Sequence, residues 1–230
     1  MTFNHELVNQ FLEAIFPLPQ QFGIFLNEEK SSELTDFSYF EEVIYDIDPN
    51  ASICFGASKM VIISPNLGNI VIKIPFNGHF NETDDKWCPF MWATGSDPTD
   101  YCLAEYEKYN KLKTYGLDCF VAKVLYYKTI CGTRIFLQEK ITPEDDLCFS
   151  NQPSKKSQDL ANRWYDEGKF YINPEWIANC LDKYGTSKVK RFLYYCTNID
   201  LDILEDIHSG NYGYRDNETP CLLDYSNFLD

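Results

Sequence analysis

The sequence predicts an α+β chain: an antiparallel sheet with one long helix in its first part, and helices in its second. Two observations carry this. Paired β-branched runs, Ser52–Ser64 with Asn69–Phe76 and then Phe120–Thr129 with Thr133–Ile141, are each joined by a short turn-forming stretch. Beyond residue 158 the apolar residues recur at helical spacing instead.

The elements follow in order. Residues 4–16 place Leu7, Val8, Phe11, Leu12, Ile15 and Phe16 on one helical stripe, and Pro17 and Pro19 end it. The two apolar runs around Pro65–Asn69 predict a hairpin. Residues 77–99 are polar and read as an inserted irregular loop. A helix follows, with Asp97 as N-cap, Pro98 at the first helical position and Gly116 as the stop. The second strand pair turns at Ile130–Thr133. Residues 142–158 are polar, with Pro and Ser, and read as a connector. Then come a helix capped by Asn173, with Pro174 at its start and Gly185 at its stop, and another whose stripe is Val189, Phe192, Leu193, Cys196 and Ile199.

The chain has 230 residues, 44% hydrophobic and 16% aromatic, enough for a packed core and unlike a disordered composition. Twenty basic residues against 35 acidic ones give a net charge of −15, which repels phosphate backbones and argues against nucleic acid as a partner. Nine scattered cysteines, none in a C-x-x-C pair, predict reduced thiols rather than a disulfide scaffold or zinc site. With no basic–apolar leader and no apolar run of spanning length, the expectation is a cytoplasmic protein without a membrane partner.

Four polar features stand out against this background. Lys73 alternates with Ile72 and Ile74 in a strand, so it shares a face with Val71; a lysine there is costly unless partnered. Glu105 falls on one helix face with Cys102, Tyr109 and Leu112, whereas Glu107 lies beside Lys111 on a solvated face, so Glu105 is the inward acid. Asp206 is followed five residues later by Asn211, in "DIHSGN". Asp224 comes thirteen residues after Asn211, in "LLDYS". Each has a plain reading too: edge charges, an Asx-rich turn, a strand ending in a polar cap.

Taken together and in this order, the strand Lys, helix Glu, D-x-x-x-x-N loop and late Asp resemble the protein-kinase-like superfamily, over residues of roughly 50–228. The resemblance implies a two-lobed fold: an antiparallel-sheet N-lobe at 1–141, a connector at 142–158 and a truncated, mainly helical C-lobe at 159–230. It implies ATP and Mg²⁺ as cofactors, Asp206 orienting and deprotonating an acceptor hydroxyl, Lys73 on the phosphates with Glu105 behind it, and Asn211 and Asp224 as metal ligands. Gly56 and Ser58 would cover phosphates, Gln138 would lie beside the adenine, and Glu139 with Lys140 would form the linker. His208 stands where protein kinases usually carry Lys. This form looks more like the small-molecule branch (aminoglycoside and choline kinases) and like short kinase-like proteins of bacterial viruses, and implies a contact from His208 to substrate or phosphate.

The departures are as specific. Only Gly56 stands where a glycine-rich loop is expected, "LED" (204–206) replaces His-Arg-Asp, and "DYS" replaces Asp-Phe-Gly. The sequence runs only to Asp230, so no activation segment is expected. The leading expectation is phosphoryl transfer to a hydroxyl, of a protein Ser/Thr ahead of a small molecule. The alternatives are a pseudokinase-type protein that docks a host partner, and a protein nucleotidyltransferase on the same fold.

Overall fold

The computed structural model describes residues 1–18, 37–56, 58–77, 80–81, 86–87, 91–94, 100–143, 152–170, 172–200, 203 and 209–225. The chain is α+β and divides into two compact units, Met1–Tyr106 with Val124–Glu139, and Glu107–Lys123 with Lys140–Asp230.

The first unit opens with α1 (His5–Ile15), started by Asn4, whose Oδ1 accepts the Leu7 N–H at 3.2 Å. A second helix, α2 (Phe37–Ile47), precedes β1 (Ser52–Phe55) and β2 (Lys59–Ile63). These two strands occupy the run expected to be one strand. The chain reverses after Phe55, and the Gly56 N–H closes the turn on the Lys59 carbonyl at 2.9 Å. β3 (Ile70–Asn77) pairs antiparallel with β2, placing Val61 opposite Lys73.

The stretch 77–99, expected to be irregular, carries β4 (Phe80–Asn81), β5 (Lys86–Trp87) and β6 (Met91–Trp92); β6 pairs with the end of β3, Phe76 opposite Trp92. Helix α3 (Tyr101–Thr114) is capped by Asp100, not Asp97: the Leu103 N–H donates to Asp100 Oδ1 at 2.9 Å, and the Ala104 N–H to its carbonyl at 3.2 Å. Asp97 and Pro98 lie outside the described residues. At the other end, Gly116 adopts φ 66° and the Leu117 N–H reaches back to the Leu112 carbonyl at 3.0 Å, the Schellman closure.

Strands β7 (Val124–Ile130) and β8 (Thr133–Glu139) complete an antiparallel sheet in the order β1-β2-β3-β8-β7. Strand alternation divides its two faces. Met60, Ile62, Ile70, Ile72, Ile74, Ile135 and Leu137 pack with Val8, Phe11, Leu12 and Ile15 of α1 and Phe40 and Ile44 of α2. Full burial of such a side chain contributes about 1.5–3 kcal/mol. This layer fixes the sheet, and Lys59, Val61, Val71 and Lys73 occupy its opposite face. Asp48, just past α2, accepts from Ser64 Oγ, Asn66 Nδ2 (3.1 Å) and the Asn50 N–H (3.0 Å), which ties the helix end to the β2–β3 turn.

The second unit contains β9 (Thr142–Pro143), α4 (Lys155–Asp166), α5 (Pro174–Tyr184), α6 (Thr186–Asn198), β10 (Tyr212–Arg215) and β11 (Thr219–Leu222). Helix α4 starts inside the stretch expected to be a connector. Its cap, Ser154, donates its N–H (2.6 Å) and hydroxyl (2.7 Å) to Asp182 of α5. α5 begins and ends as expected, with Asn173 accepting the Glu175 N–H at 2.8 Å and Gly185 at φ 79°. Ile199, expected on the buried stripe of α6, lies past the helix end and is 40% exposed. In its core Phe120 stacks on Phe192 (centroids 4.3 Å apart), Trp176 meets Phe192 edge-on, and Tyr195 and Tyr214 are also buried.

β9, β10 and β11 form a small sheet around Gly213. A Cβ at Gly213 would lie 2.1 Å from the Thr142 carbonyl oxygen, so only glycine permits the β9–β10 pairing. Among the described residues, Cys102, Cys180, Cys196 and Cys221 are buried, Cys119 is half-buried, and Cys54 and Cys131 are exposed, all as free thiols. No helix among the described residues is long and apolar enough to cross a membrane.

Candidate functional site

Lys73 and Glu105 meet in the first unit. Lys73 Nζ donates to both carboxylate oxygens of Glu105, at 3.0 Å (Oε1) and 2.8 Å (Oε2), and both side chains are buried. Secondary structure dictates the meeting. Lys73 leaves the face of β3 that α1 and α2 do not cover, and Glu105 shares the buried face of α3 with Cys102, Tyr109 and Leu112.

A second lysine completes the arrangement. Lys59 Nζ donates to Glu105 Oε1 at 2.7 Å. Its position follows from register: Val61 pairs with Lys73, so Lys59, two residues before Val61, is on the same sheet face. An ion pair at this separation attracts by on the order of 6 kcal/mol at an effective dielectric near 20. Desolvation costs several kcal/mol per ion, so the triad contributes little net stability while fixing three side chains in one place. Burial beside the Glu105 carboxylate pushes the Cys102 thiol far up, so it stays protonated.

Lys59 escaped the sequence reading, although a signal existed. "KMVII" opens with a lysine at the parity of the inward Lys73 once the hairpin register is known. That register belongs to the β2–β3 hairpin, which turns at residues 65–68, and the sequence marks the turn without assigning which residues pair across it.

The remaining first-unit candidates lie close by in the sheet. Ser58 directly precedes Lys59; its carbonyl accepts the Phe76 N–H at 2.9 Å, while its buried hydroxyl has no partner among the described residues. A Cβ at Gly56 would make only ordinary contacts with Lys59, at 3.7 and 3.8 Å, so packing does not demand glycine there. Gln138 pairs with Val71 and so shares the Lys73 face, whereas Glu139 pairs with Ile70 on the other. Both belong to β8 and are buried, and the chain leaves the first unit between Glu139 and Lys140.

In the second unit a hairpin brings Asn211 and Asp224 together. β10 starts just after Asn211 and β11 ends two residues before Asp224. The Asn211 carbonyl accepts the backbone N–H groups of Leu223 (2.9 Å) and Asp224 (3.3 Å). Anchors fix the hairpin on both faces. Tyr212 and Tyr214 hydroxyls accept from Asn173 Nδ2 (2.8 Å) and Asn179 Nδ2 (2.9 Å), and Gly213 lies against Thr142. The Tyr225 hydroxyl donates to the Ala122 carbonyl at 2.9 Å, fixing the residue after Asp224. Asn211 is buried and Asp224 half-buried. One amide and one carboxylate oxygen suit a hard divalent cation such as Mg²⁺. Among the described residues no three His, Cys, Asp or Glu side chains converge on a metal position. Asp206 and His208 lie outside the described residues.

No protein-family model, no curated protein and no solved structure matches the chain.

Proposed function

We propose that the chain is an ATP- and Mg²⁺-dependent phosphotransferase of the two-lobed protein-kinase-like type, acting on a hydroxyl, with a protein Ser/Thr as first acceptor and a small molecule as second. The observation that carries this reading is the buried Lys73–Glu105 pair, a strand lysine held two-pronged by a helix acid 32 residues away. A lysine so held is a fixed positive point for phosphate oxygens. The hairpin that joins Asn211 to Asp224 supports it further, because residues thirteen apart in sequence are held at one point by backbone hydrogen bonds.

In the reaction, the acceptor oxygen forms a bond to the γ-phosphorus as the bond to the ADP oxygen breaks, and Asp206 takes the acceptor's proton. Mg²⁺ supplies charge neutralisation on the phosphates when bound, with Asn211 and Asp224 as its protein ligands. Lys73 aligns the phosphates, Gly56 and Ser58 cover them, Gln138 lies beside the base, the backbone at Glu139 and Lys140 hydrogen-bonds it, and His208 contacts the acceptor or the phosphate.

The pseudokinase-type docking reading, with a host protein as partner, is favoured by one feature: a single glycine in the β1–β2 connection. Incubation with γ-labelled and separately with α-labelled ATP, plus Mg²⁺, separates the readings. Transfer of γ label alone supports the phosphotransferase. Transfer of α label assigns a nucleotidyltransferase. Transfer of neither, with a co-purifying partner, assigns the docking protein.

A further inference from the structure

The sheet of the first unit ends at β1, beside an acidic cleft. We propose that β1 is a docking edge for an extended, arginine-rich segment of a partner protein. The segment adds to the sheet as a further strand and places alternate arginines in the cleft between β1 and α2. The site lies wholly within the first unit, and phosphoryl transfer plays no part in it.

Three observations lead to it. First, backbone groups of β1 face outward. β1 is the terminal strand of its sheet, and among the described residues no strand pairs with its outer side. The Gly56 N–H donates to the Lys59 carbonyl at 2.9 Å, which makes these two a hydrogen-bonded pair. In an antiparallel ladder such pairs alternate, so Cys54 with Val61 is the next, and Ile53 opposite Ile62 is not one. The Ile53 N–H and carbonyl therefore point away from β2, a template for another strand. Second, this edge borders a cleft of about 410 Å³ between β1 and α2, over Ile44, Ala51 and Ile53, within the size range of binding pockets. Ile62 belongs to the core layer, so Ile53 opposite it turns to the α2 side and Cys54 to the other. A strand laid beside β1 keeps this alternation, and every second side chain enters the cleft. Third, charge selects the partner. Glu41, Glu42 and the 59% exposed Tyr45 line the cleft, and no basic side chain lines it among the described residues. An arginine matches this lining: its stem covers the apolar floor, and its guanidinium takes a carboxylate two-pronged and stacks on a tyrosine ring. An acidic segment is repelled there.

The test uses the whole chain and a short synthetic peptide alternating arginine with valine, capped at both ends. Amide hydrogen exchange and fluorescence anisotropy read the complex. The expected result is binding that weakens with added salt and protects the Ile53 amide from exchange. The same peptide methylated on every backbone amide should not bind, and neither should one alternating glutamate with valine. Two variants localise the contact. Ile53→Pro removes an outward donor and keeps the ladder to β2, and should weaken the peptide roughly two- to tenfold, the worth of a hydrogen bond. Glu41→Gln combined with Glu42→Gln should weaken it roughly three- to tenfold with an unchanged melting temperature. If Ile53→Pro fails to fold, the methylated peptide and the double glutamine variant decide. No binding, binding without protection of Ile53, or equal binding by the methylated or the glutamate peptide overturns the proposal. So does wild-type affinity in the double variant. An Ile53 amide already protected in the peptide-free chain also overturns it: protection lost on dilution assigns the edge to a second copy, and protection kept means that the chain covers its own edge.

Discussion

Glu105 is bound on both oxygens by Lys73 and on one of them by Lys59, so a single buried acid holds two cations. The three positions are therefore unequal. Glu105→Gln leaves two buried ammonium groups without their carboxylate, whereas Lys73→Met leaves Glu105 still paired with Lys59. Removing one side of a buried ion pair typically costs about 3–5 kcal/mol. Glu105→Gln is expected to lose that full amount in urea denaturation and Lys73→Met clearly less. An equal or larger loss for Lys73→Met would mean that Lys59 does not hold the acid.

The chemistry separates along the same residues. Asp206→Ala should abolish transfer by about two to four orders of magnitude while sparing ATP affinity, because a base acts on the acceptor and not on the nucleotide. Asp224→Asn should remove the Mg²⁺-dependent part of ATP binding and keep the fold, since its backbone N–H to Asn211 survives the substitution. Calorimetry with and without Mg²⁺, alongside turnover, reads both. An Asp224→Asn variant with wild-type Mg²⁺ dependence would reduce Asp224 to a strand cap.

Gly213 controls the placement of Asn211 from two residues away. A methyl group there meets the Thr142 carbonyl at 2.1 Å, a backbone contact that no rotamer relieves. Gly213→Ala should cost about 1–3 kcal/mol, the usual range for overpacking. It should also lower turnover beyond what the unfolded fraction explains, because β10 must shift and Asn211 with it. Melting curves with turnover per folded molecule test this. A variant with normal stability would show that β9 and β10 separate freely.

These sites were legible to different degrees, for physical reasons. Lys73 and Glu105 could be read because each sits in a regular element whose periodicity assigns its face. Asn173, Pro174 and Gly185 marked α5 because capping chemistry is local. Helix α4 was not legible: "KKSQDLANRWYD" buries only Ala161 and Trp164, too few for a stripe. The α3 cap was misplaced because "DPTD" offers two acids three residues apart, and Pro98 drew the reading to Asp97 when the backbone bonds run to Asp100. The Gly213 clash is invisible in sequence, since it depends on Thr142, 71 positions away.

The last prediction concerns acid stability. The Ser64 hydroxyl, and then the Asn50 and Asn66 donors, hold the Asp48 carboxyl below the usual carboxylate range despite its burial. A lowered folded-state pKa means that Asp48 stabilises the fold above its unfolded pKa of about 3.9. That contribution fades as pH falls from there through the folded value, when the bound carboxylate must be protonated. Asp48→Asn keeps the shape but cannot supply a charged acceptor for the Ser64, Asn50 and Asn66 donors. It should lower stability at pH 7 by about 1–3 kcal/mol, the range for a hydrogen bond to a charged group or a buried donor left unpaired. Wild type and variant should converge once pH falls through the lowered folded-state value, where both carry a neutral side chain. Urea midpoints at pH 7 and at successively lower pH measure the gap. A gap that stays constant over that range would mean that the joint between α2 and the β2–β3 turn depends on shape and not on the charge of Asp48.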